Sequence, residues 1–382
     1  MSTKSLIFGD KVLLVIVLLL SLFSFFPVFS SSSYLSYVID GASPIYYLVK
    51  HLIVILFGFI LMLSIKLVPF KFFRGMSVIL LPIGIGLLVY TLSQGTIIGG
   101  SAASRWIDIP FVGISFQTSA LAAIIIITYT ARYLSKVELS KTKFSETLIP
   151  LWLPIFIYIF LIFPANFSSA FLIFTALVIT LFISGFPLRH LFKVFLILGF
   201  LLITFFFTAK TFPDKFPNRI DTWLSRIENF GSNKNLDASY QIERAKMAIN
   251  NGGLIGVGAG KSIMKNHLPQ SNSDFIFAII VEEWGSIGGA FIICLYILMF
   301  FRFLSITHRI DDRFGKILVS GLGVFIIIQA FTNISVATQI IPVTGQNLPL
   351  ISSGGSSAWM TCISLGMILS VSSSIKNKNG KQ

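Results

Sequence analysis

The chain of 382 residues is 55% hydrophobic and only 12% charged, and it contains 39 phenylalanines. This composition excludes a water-soluble globular domain, in which about 25% of the residues are charged, and it indicates a polytopic membrane protein. The formal net charge of +14 is not accompanied by a folded basic module, so we predict no nucleic-acid partner.

Ten apolar runs of membrane-spanning length follow one another along the chain, and each predicts one transmembrane helix. Because lipid offers the backbone no hydrogen-bond partner, the predicted fold class is an all-α integral membrane protein. We expect residues 1–382 to form a single polytopic domain with an uncleaved first helix, because no small-residue cleavage site follows the first run. The runs lie near residues 12–29, 52–68, 76–92, 114–134, 148–165, 168–185, 192–208, 274–301, 317–337 and 355–373.

The lysines and arginines orient these helices. With a cytoplasmic N-terminus, every short inner segment carries at least two basic residues, whereas the short outer segments hold only Lys50 and Arg105. The positive-inside rule therefore predicts that both termini are cytoplasmic.

The longest segment between spans, residues 209–273, separates the seventh and eighth runs and is extracytoplasmic in this topology. It contains the amphipathic stretches "PNRIDTWLSRIENFG" and "DASYQIERAKMAINNGG". The second stretch predicts a helix that Asp237 caps and that Gly252 and Gly253 end. We therefore predict short helices on the outer membrane surface, where chemistry on a large polar substrate is most easily accommodated.

Two outer motifs offer cations to an anionic ligand. In "GVGAGKS", Lys261 follows glycines, but Ile255 stands where a nucleotide-binding loop needs its first glycine, and no strand precedes the motif. A flexible turn is the simpler interpretation, and its N–H groups and Lys261 can still approach a lipid headgroup. In "SRWIDIP", the spacing of Arg105 and Trp106 fits an interfacial anchor, with phosphate binding as the functional alternative.

The segment "PVTGQNLPLISSGGSS", residues 342–357, is too rich in proline, glycine and serine for a helix, yet it retains Leu348, Leu350 and Ile351. A tight connector with a helix start at Ser352 or Ser353 is one interpretation. We favour a re-entrant wall of a substrate cavity, because non-helical backbone is tolerated at membrane depth where it is buried in protein or lines a polar space. Its N–H groups can then face an anion.

Acidic residues are rare, and three of the 15 lie within "SDFIFAIIVEEWG". Asp274 is compatible with a simple helix cap. Glu282 and Glu283 are harder to explain by structure alone, because each charge near the centre of a membrane helix costs about 2.5–3.5 kcal/mol. The pair predicts a polar interior that reaches at least Glu282, about 12 Å below Asp274 on a helical rise.

Together these motifs resemble the SEDS family of bacterial membrane glycosyltransferases, which includes FtsW, RodA and SpoVE. The resemblance rests on the ten spans, the large outer loop, the Arg-Trp loop, "GGLIGVGAGKS", "LPQSNSDFIFAIIVEEWGSIGG" and "IPVTGQNLPLISSGGSS". It implies a multi-pass protein of the bacterial cytoplasmic (inner) membrane that polymerises lipid II, the undecaprenyl-pyrophosphate-linked disaccharide-pentapeptide, during cell division or elongation.

The resemblance also implies partners. These are a class B penicillin-binding protein, which is a transpeptidase, and other divisome or elongasome membrane proteins. The wording of "PANFSSA" and "LPLISSGG" is closer to FtsW than to RodA.

Within this resemblance, Asp274 matches the family's essential aspartate and is the expected general base. The leaving diphosphate needs cations, which Arg105, Lys261 and Lys265 can supply, or else a divalent metal ion held by Asp274. The remaining expected contacts are Trp106, Gln270, Ser353, Gly354 and Gly355 for the substrate, and Glu282 and Glu283 for the polar cavity.

The chain departs from the family pattern at several positions. Ala120 and Ala123 stand where the fourth span usually carries an acid and a lysine, and Asn166 replaces an aspartate. Ser353 replaces an aromatic residue and Gln270 a glutamate. Any role of the missing charge pair is lost here or is taken over by another residue.

Two other functions fit parts of the sequence. A flippase or transporter of the lipid-linked precursor would use Glu282 and Glu283 as path residues and Asp274 as a gate. No inverted repeat is evident, however, and the long outer loop exceeds what a flippase requires. A non-enzymatic division scaffold is compatible with the loops but leaves the buried acids unexplained.

Overall fold

The computed structural model describes residues 9–38, 43–94, 106–109, 114–138, 142–211 and 236–379. Helices account for most of these ranges, which confirms the all-α membrane class. By length and composition, eight of the helices found there can cross a membrane, and Phe167–Ile183 is a shorter apolar helix. The count of ten spans and the placement of the long loop outside the cytoplasm stay predictions.

The helices coincide with the apolar runs to within several residues. The first four are α1 Lys11–Val38, α2 Pro44–Leu67, α3 Phe70–Gln94 and α4 Thr118–Lys136. A fifth helical stretch is continuous over α5 Phe144–Thr147, a π-helical turn Leu148–Trp152 and α6 Leu153–Ile162. The others are α7 Phe167–Ile183, α8 Leu188–Thr211, α9 Leu236–Gly252, a 3₁₀ turn Met264–Asn266, α10 Ile276–Arg309, α11 Arg313–Ala337 and α12 Gly355–Asn379.

A short antiparallel hairpin precedes α4. Strand β1, Trp106–Ile109, pairs with β2, Ile114–Gln117, so that Trp106 lies opposite Gln117. The fourth apolar run was predicted to be helical from residue 114, and this boundary is wrong because residues 114–117 form β2. Alternating large residues in "ISFQ" suit a paired strand, which hydropathy alone does not distinguish from the start of a helix.

The segment between α8 and α10 is only partly described. The stretch "PNRIDTWLSRIENFG" lies outside the described residues. The second predicted helix is present as α9, which begins at Leu236, one residue before the predicted cap Asp237. It ends at Gly252, and Gly253 follows with φ +52°, as expected for a glycine after a helix end.

Helices α4, α11 and α12 form the centre of the bundle. About two thirds or more of their spans is buried, compared with 28% for α2 and 22% for α3. Small residues let these helices approach closely: a Cβ on Gly321 of α11 would lie 2.7 Å from the Ile127 side chain of α4. Such contacts are the usual means of packing helices in lipid, where no hydrophobic force drives association. The candidate site lies where α4 and α12 begin and α11 ends.

Candidate active site

Asp274 lies at the end of a tight turn that leads into α10. The turn is closed by the carbonyl of Gln270, which accepts hydrogen bonds from the N–H of Ser273 at 3.1 Å and of Phe275 at 3.4 Å. Gln270 itself is exposed and has φ +57°. The cap position of the helix is occupied by Phe275 and not by Asp274. Asp274 is therefore placed beside the helix start, and its side chain is half-buried.

The segment 342–354 packs directly against this turn. The Ser352 hydroxyl donates to the carbonyl of Ser273 at 2.7 Å. Ser353 donates to the carbonyl of Asn272 from both its N–H, at 3.0 Å, and its hydroxyl, at 2.9 Å. Leu348, Leu350 and Ile351 are buried. The segment is thus non-helical backbone enclosed by protein, as a re-entrant wall requires.

Two glycines complete this wall. Gly354 lies against the Asn347 side chain, and Gly355 is the first residue of α12. The helix start predicted at Ser352 or Ser353 is therefore two or three residues too early, because both serine hydroxyls bond to the Asp274 turn instead. Within the same segment, a Cβ on Gly345 would lie 3.4 Å from the Asp274 carboxylate Oδ2. The carboxylate thus faces the re-entrant segment.

A cavity lined by both polar and apolar side chains lies next to this wall. The first turns of α4, α7 and α12 contribute Ser119, Ser169 and Ser357, and amide side chains come from Gln329 of α11 and from Gln346. No charged side chain lines it in the part of the chain that the structure describes. Positive ends of three helix dipoles therefore converge on an uncharged polar space.

The family departures have a structural consequence in this cavity. Ala120, at the usual acidic position, is a lining residue, whereas Ala123 is fully buried in the core. Asn166 caps α7 by accepting a hydrogen bond from the Ser169 N–H at 3.1 Å. The substitutions at Ala120 and Asn166 thus remove negative charge from the cavity wall and from the helix start beside it.

Glu282 and Glu283 are fully buried in α10 and are bound by the loop that follows α9. Glu282 accepts hydrogen bonds from the Ser262 hydroxyl, from the N–H groups of Ile263 and Met264 at 3.3 Å, and from the Asn251 amide at 3.4 Å. These donors include the start of the 3₁₀ turn. Glu282 is therefore satisfied by protein groups on both of its oxygens.

Glu283 is less completely bonded. Its Oε1 accepts from the Ser30 hydroxyl of α1 and from the Ser262 N–H at 3.4 Å. Its Oε2 is buried without a hydrogen-bond partner among the described residues. The Lys265 ammonium donates to the Ser30 hydroxyl at 3.3 Å and to the Gly260 carbonyl at 2.7 Å. Lys265 thus contributes a positive charge to this cluster.

The same loop also makes hydrogen bonds to the backbone groups of α10 at a break in that helix. Gly285 has φ +68° and ψ −175°, which interrupts the helix. The carbonyls of Glu282 and Glu283 accept from the N–H groups of Val257 at 2.9 Å and Gly258 at 3.0 Å, and the Ser286 N–H donates to Gly253 at 2.9 Å. Free helix ends inside the protein are costly unless satisfied, so the glycine-rich motif acts as a structural clasp on α10.

The predicted site residues therefore separate into groups. Asp274, Gln270, Ser353, Gly354 and Gly355 form one neighbourhood. Glu282, Glu283 and Lys265 form a second, inside the clasp, and Lys261 is exposed on the clasp loop. Trp106 is a half-exposed residue of β1. Arg105 lies outside the described residues.

Sequence reasoning missed two residues that connect the first neighbourhood. The Asn333 side-chain amide of α11 donates to the carbonyls of Asp274 and Gln346, and the Gln346 amide donates to the Ser169 hydroxyl at 3.0 Å. The available signal was Asn333 itself, an amide inside the apolar run "VFIIIQAFTNISVA". Polar residues inside membrane helices are costly and mark functional positions.

A metal ion at Asp274 stays a prediction. Within the described ranges, no three His, Cys, Asp or Glu side chains come together to hold a metal ion. Any divalent cation there would need oxygen ligands of other kinds, such as backbone carbonyls, water or substrate phosphate.

Comparison with known proteins agrees with the architecture. The family model FtsW/RodA/SpoVE, described as "Cell cycle protein", matches residues 10–377. A curated relative from Hydrogenovibrio crunogenus, named "Probable peptidoglycan glycosyltransferase FtsW", is 31% identical over 86% of this chain and 82% of its own length. A relative of the same name from Idiomarina loihiensis is 30% identical over 95% of this chain and 86% of its own.

A solved structure shares the fold. It is titled "Structural coordination of polymerization and crosslinking by a peptidoglycan synthase complex". Its matching chain superposes with a TM-score of 0.74 over 96% of this chain and 98% of that chain, at 20% sequence identity. The resemblance stated from the motifs is confirmed: the protein is a multi-pass membrane protein, and the chain belongs to the FtsW/RodA/SpoVE family.

Proposed function

We propose that this protein is a peptidoglycan glycosyltransferase that polymerises lipid II into glycan strands, with Asp274 as the general base. The observation that carries the proposal is the half-buried Asp274 carboxylate, which faces the re-entrant segment next to an uncharged polar cavity. The names of the relatives support the same activity. The protein acts in the bacterial cytoplasmic membrane with both termini in the cytoplasm.

The chemistry needs one base and one source of positive charge. Asp274 takes the proton from an acceptor sugar hydroxyl as the hydroxyl oxygen forms a bond to the anomeric carbon of the donor. The bond from that carbon to the lipid diphosphate breaks, and the diphosphate leaves with the electron pair. Arg105 and Lys261 offset the charge that develops on the diphosphate. Asp274 would be the protein ligand of a divalent cation, which would supply positive charge at the same place.

The substrate contacts follow from the walls of the site. The re-entrant segment with Ser353, Gly354 and Gly355 forms one wall, and Gln270 and Trp106 lie on the outer approach. Glu282, Glu283 and Lys265 hold the loop after α9 against α10. They stabilise in this way the helix that follows Asp274. A class B penicillin-binding protein is the proposed partner, because the solved relative is titled as a complex that coordinates polymerization and crosslinking.

The test is polymerisation of purified lipid II in detergent by the protein together with its partner. Asp274→Ala and Asp274→Asn should each reduce glycan-strand formation about 10²- to 10⁴-fold, which is the contribution of a general base. Glu243→Gln, the same kind of change on the exposed outer face of α9, should leave the rate unchanged. Strands of normal length and rate from well-folded Asp274 variants would disprove the base.

The detergent assay also separates polymerisation from transport, because movement across a bilayer has no meaning there. A wild-type complex that forms no strands, while the protein moves lipid II between the leaflets of vesicles, would replace the proposal by a flippase. A protein that does neither, yet is required to recruit its partner, would be a scaffold.

A further inference from the structure

Asn333 is a buried amide near the C-terminal end of α11. Its side chain is 1% exposed, and Ala330, Ile334 and Ala337, which lie three or four residues from it or directly beside it, are buried as well. A buried polar side chain is expensive in a membrane helix unless its hydrogen bonds are made. The bonds that it makes therefore indicate what it is for.

The donors of Asn333 join the two backbone segments that face each other across the site. Its Nδ2 donates to the carbonyl of Asp274 at 2.9 Å and to the carbonyl of Gln346 at 2.7 Å. Neither carbonyl lies in a helix, because Asp274 precedes α10 and Gln346 lies in the re-entrant segment. Asn333 thus adds a link at Asp274 itself to the hydrogen bonds that Ser352 and Ser353 make to Ser273 and Asn272.

The side-chain oxygen of Asn333, in contrast, is bonded to neither segment. Its Oδ1 is buried without a partner in the part of the chain that the structure describes. An unsatisfied buried acceptor destabilises a fold, whereas a well-packed apolar residue would carry no such penalty. The amide is therefore a poor choice for stability alone, and both of its donors serve the site.

The contact continues from the re-entrant segment into the cavity wall. The Gln346 side chain donates to the Ser169 hydroxyl at 3.0 Å, and Ser169 belongs to the first turn of α7. Gln346 is thus hydrogen-bonded both to Asn333 of α11 and to Ser169 of α7. Asp274 is coupled in this way to the rigid centre of the bundle rather than to its own turn alone.

We propose that Asn333 is a positioning residue that holds Asp274 at the distance needed for proton transfer. It does so through the backbone and does not contact substrate. The inference rests on the proposed role of Asp274. Misplacement of a catalytic group by about 1 Å costs about 10²-fold in rate, so loss of Asn333 should lower kcat about 10²-fold and change KM by less than about threefold.

The decisive measurement is a double-mutant cycle on lipid II polymerisation by the complex. Asn333→Ala removes both donors, and Asn333→Asp keeps the shape but replaces the donating nitrogen by an oxygen. If Asn333 acts through Asp274, Asn333→Ala should add no more than about twofold to the loss already caused by Asp274→Asn. A purely structural residue would give losses that multiply. Ser320→Ala, a polar-to-apolar change in the buried part of the same helix, should leave kcat unchanged.

A second measurement does not depend on the reaction. Hydrogen exchange of the full-length protein in detergent should be faster in residues 268–275 and 342–354 for Asn333→Ala than for wild type, and unaltered there for Ser320→Ala. Unchanged exchange in both segments, or multiplying losses in the cycle, would overturn the proposal. Faster exchange in a protein whose wild-type complex makes no glycan strands would disprove the proposed function and retain Asn333 as the link between the two segments.

Discussion

Two groups of carboxylates lie near the N-terminal end of α10 and differ in burial and in hydrogen bonding. Asp274 stays half-buried, and its carboxylate faces the re-entrant segment. Glu282 and Glu283 are fully buried and are held by serine hydroxyls and loop N–H groups. The first arrangement leaves a carboxylate beside a polar space, and the second uses carboxylates as fixed points for the loop after α9.

The difference teaches that an acid inside an apolar run can mark either chemistry or architecture. A general base has to reach a substrate proton, and a group enclosed on both oxygens cannot. A structural acid has to be satisfied because an ionised carboxylate without donors is too costly in a low-dielectric interior. Replacement of each acid should therefore separate activity from stability.

Among these variants, the largest loss of activity is expected when Asp274 is replaced. Asp274→Asn should remove activity about 10²- to 10⁴-fold and leave the melting temperature within about 2 °C of wild type, because asparagine has nearly the same shape as aspartate and keeps one acceptor oxygen. Thermal unfolding in detergent, followed by tryptophan fluorescence, measures the second part. A large drop in melting temperature would place Asp274 with the structural acids instead.

Gly285→Ala should produce the largest loss of stability. An alanine there would have φ +68° and would bring its Cβ into the Leu254 carbonyl oxygen, so both the break in α10 and its clasp are disturbed. We expect a destabilisation of about 3 kcal/mol or more, seen as a lower thermal midpoint. Gly86→Ala in α3 is the matched control, because no atom lies within 4 Å of its Cβ position. Equal behaviour of the two variants would contradict the clasp.

Much of this arrangement is predictable from sequence, and the remainder is lost for physical reasons. Hydropathy located the helices because lipid imposes length and apolarity on each span. The strand at residues 114–117 was missed because a segment of four residues with two apolar side chains reads alike at the start of a helix and in a strand. Glu282 and Glu283 predicted a polar interior, but not that the donors come from the glycine-rich loop, since contacts between distant segments leave no local pattern.

The candidate site shows the same limit. Asp274 and the segment 342–354 were found separately, from charge and from composition. Their hydrogen bonds through Ser352 and Ser353, and the link through Asn333, depend on how α11 and α12 pack. A buried amide in a mainly apolar helix is the feature from which that link can be anticipated in other chains.

Glu282→Gln should be destabilising by about 2 kcal/mol. Both oxygens of Glu282 accept hydrogen bonds, since Met264 N–H lies 3.3 Å from each of them and Ser262 donates to Oε2. The amide nitrogen of glutamine would replace one of these acceptors and leave a buried donor facing another donor. Chemical or thermal unfolding of the purified protein measures the loss, and activity per folded molecule should stay within about threefold of wild type. A variant as stable as wild type would show that the loop does not depend on this acid.

Glu283→Gln should have the smallest effect, about 1 kcal/mol or less, and it sharpens the distinction within the pair. Only Oε1 of Glu283 accepts from Ser30 and Ser262, while Oε2 has no partner among the described residues. Glutamine can keep its carbonyl oxygen at the Oε1 position, where Ser30 and Ser262 donate, and its amide nitrogen then exchanges one unpartnered buried atom for another at little net cost. The measurement is the difference in unfolding free energy between Glu283→Gln and Glu282→Gln under identical conditions. If Glu283→Gln proves the more damaging change, the unpartnered oxygen has a ligand of its own, and Glu283 would move from the structural acids to the functional ones.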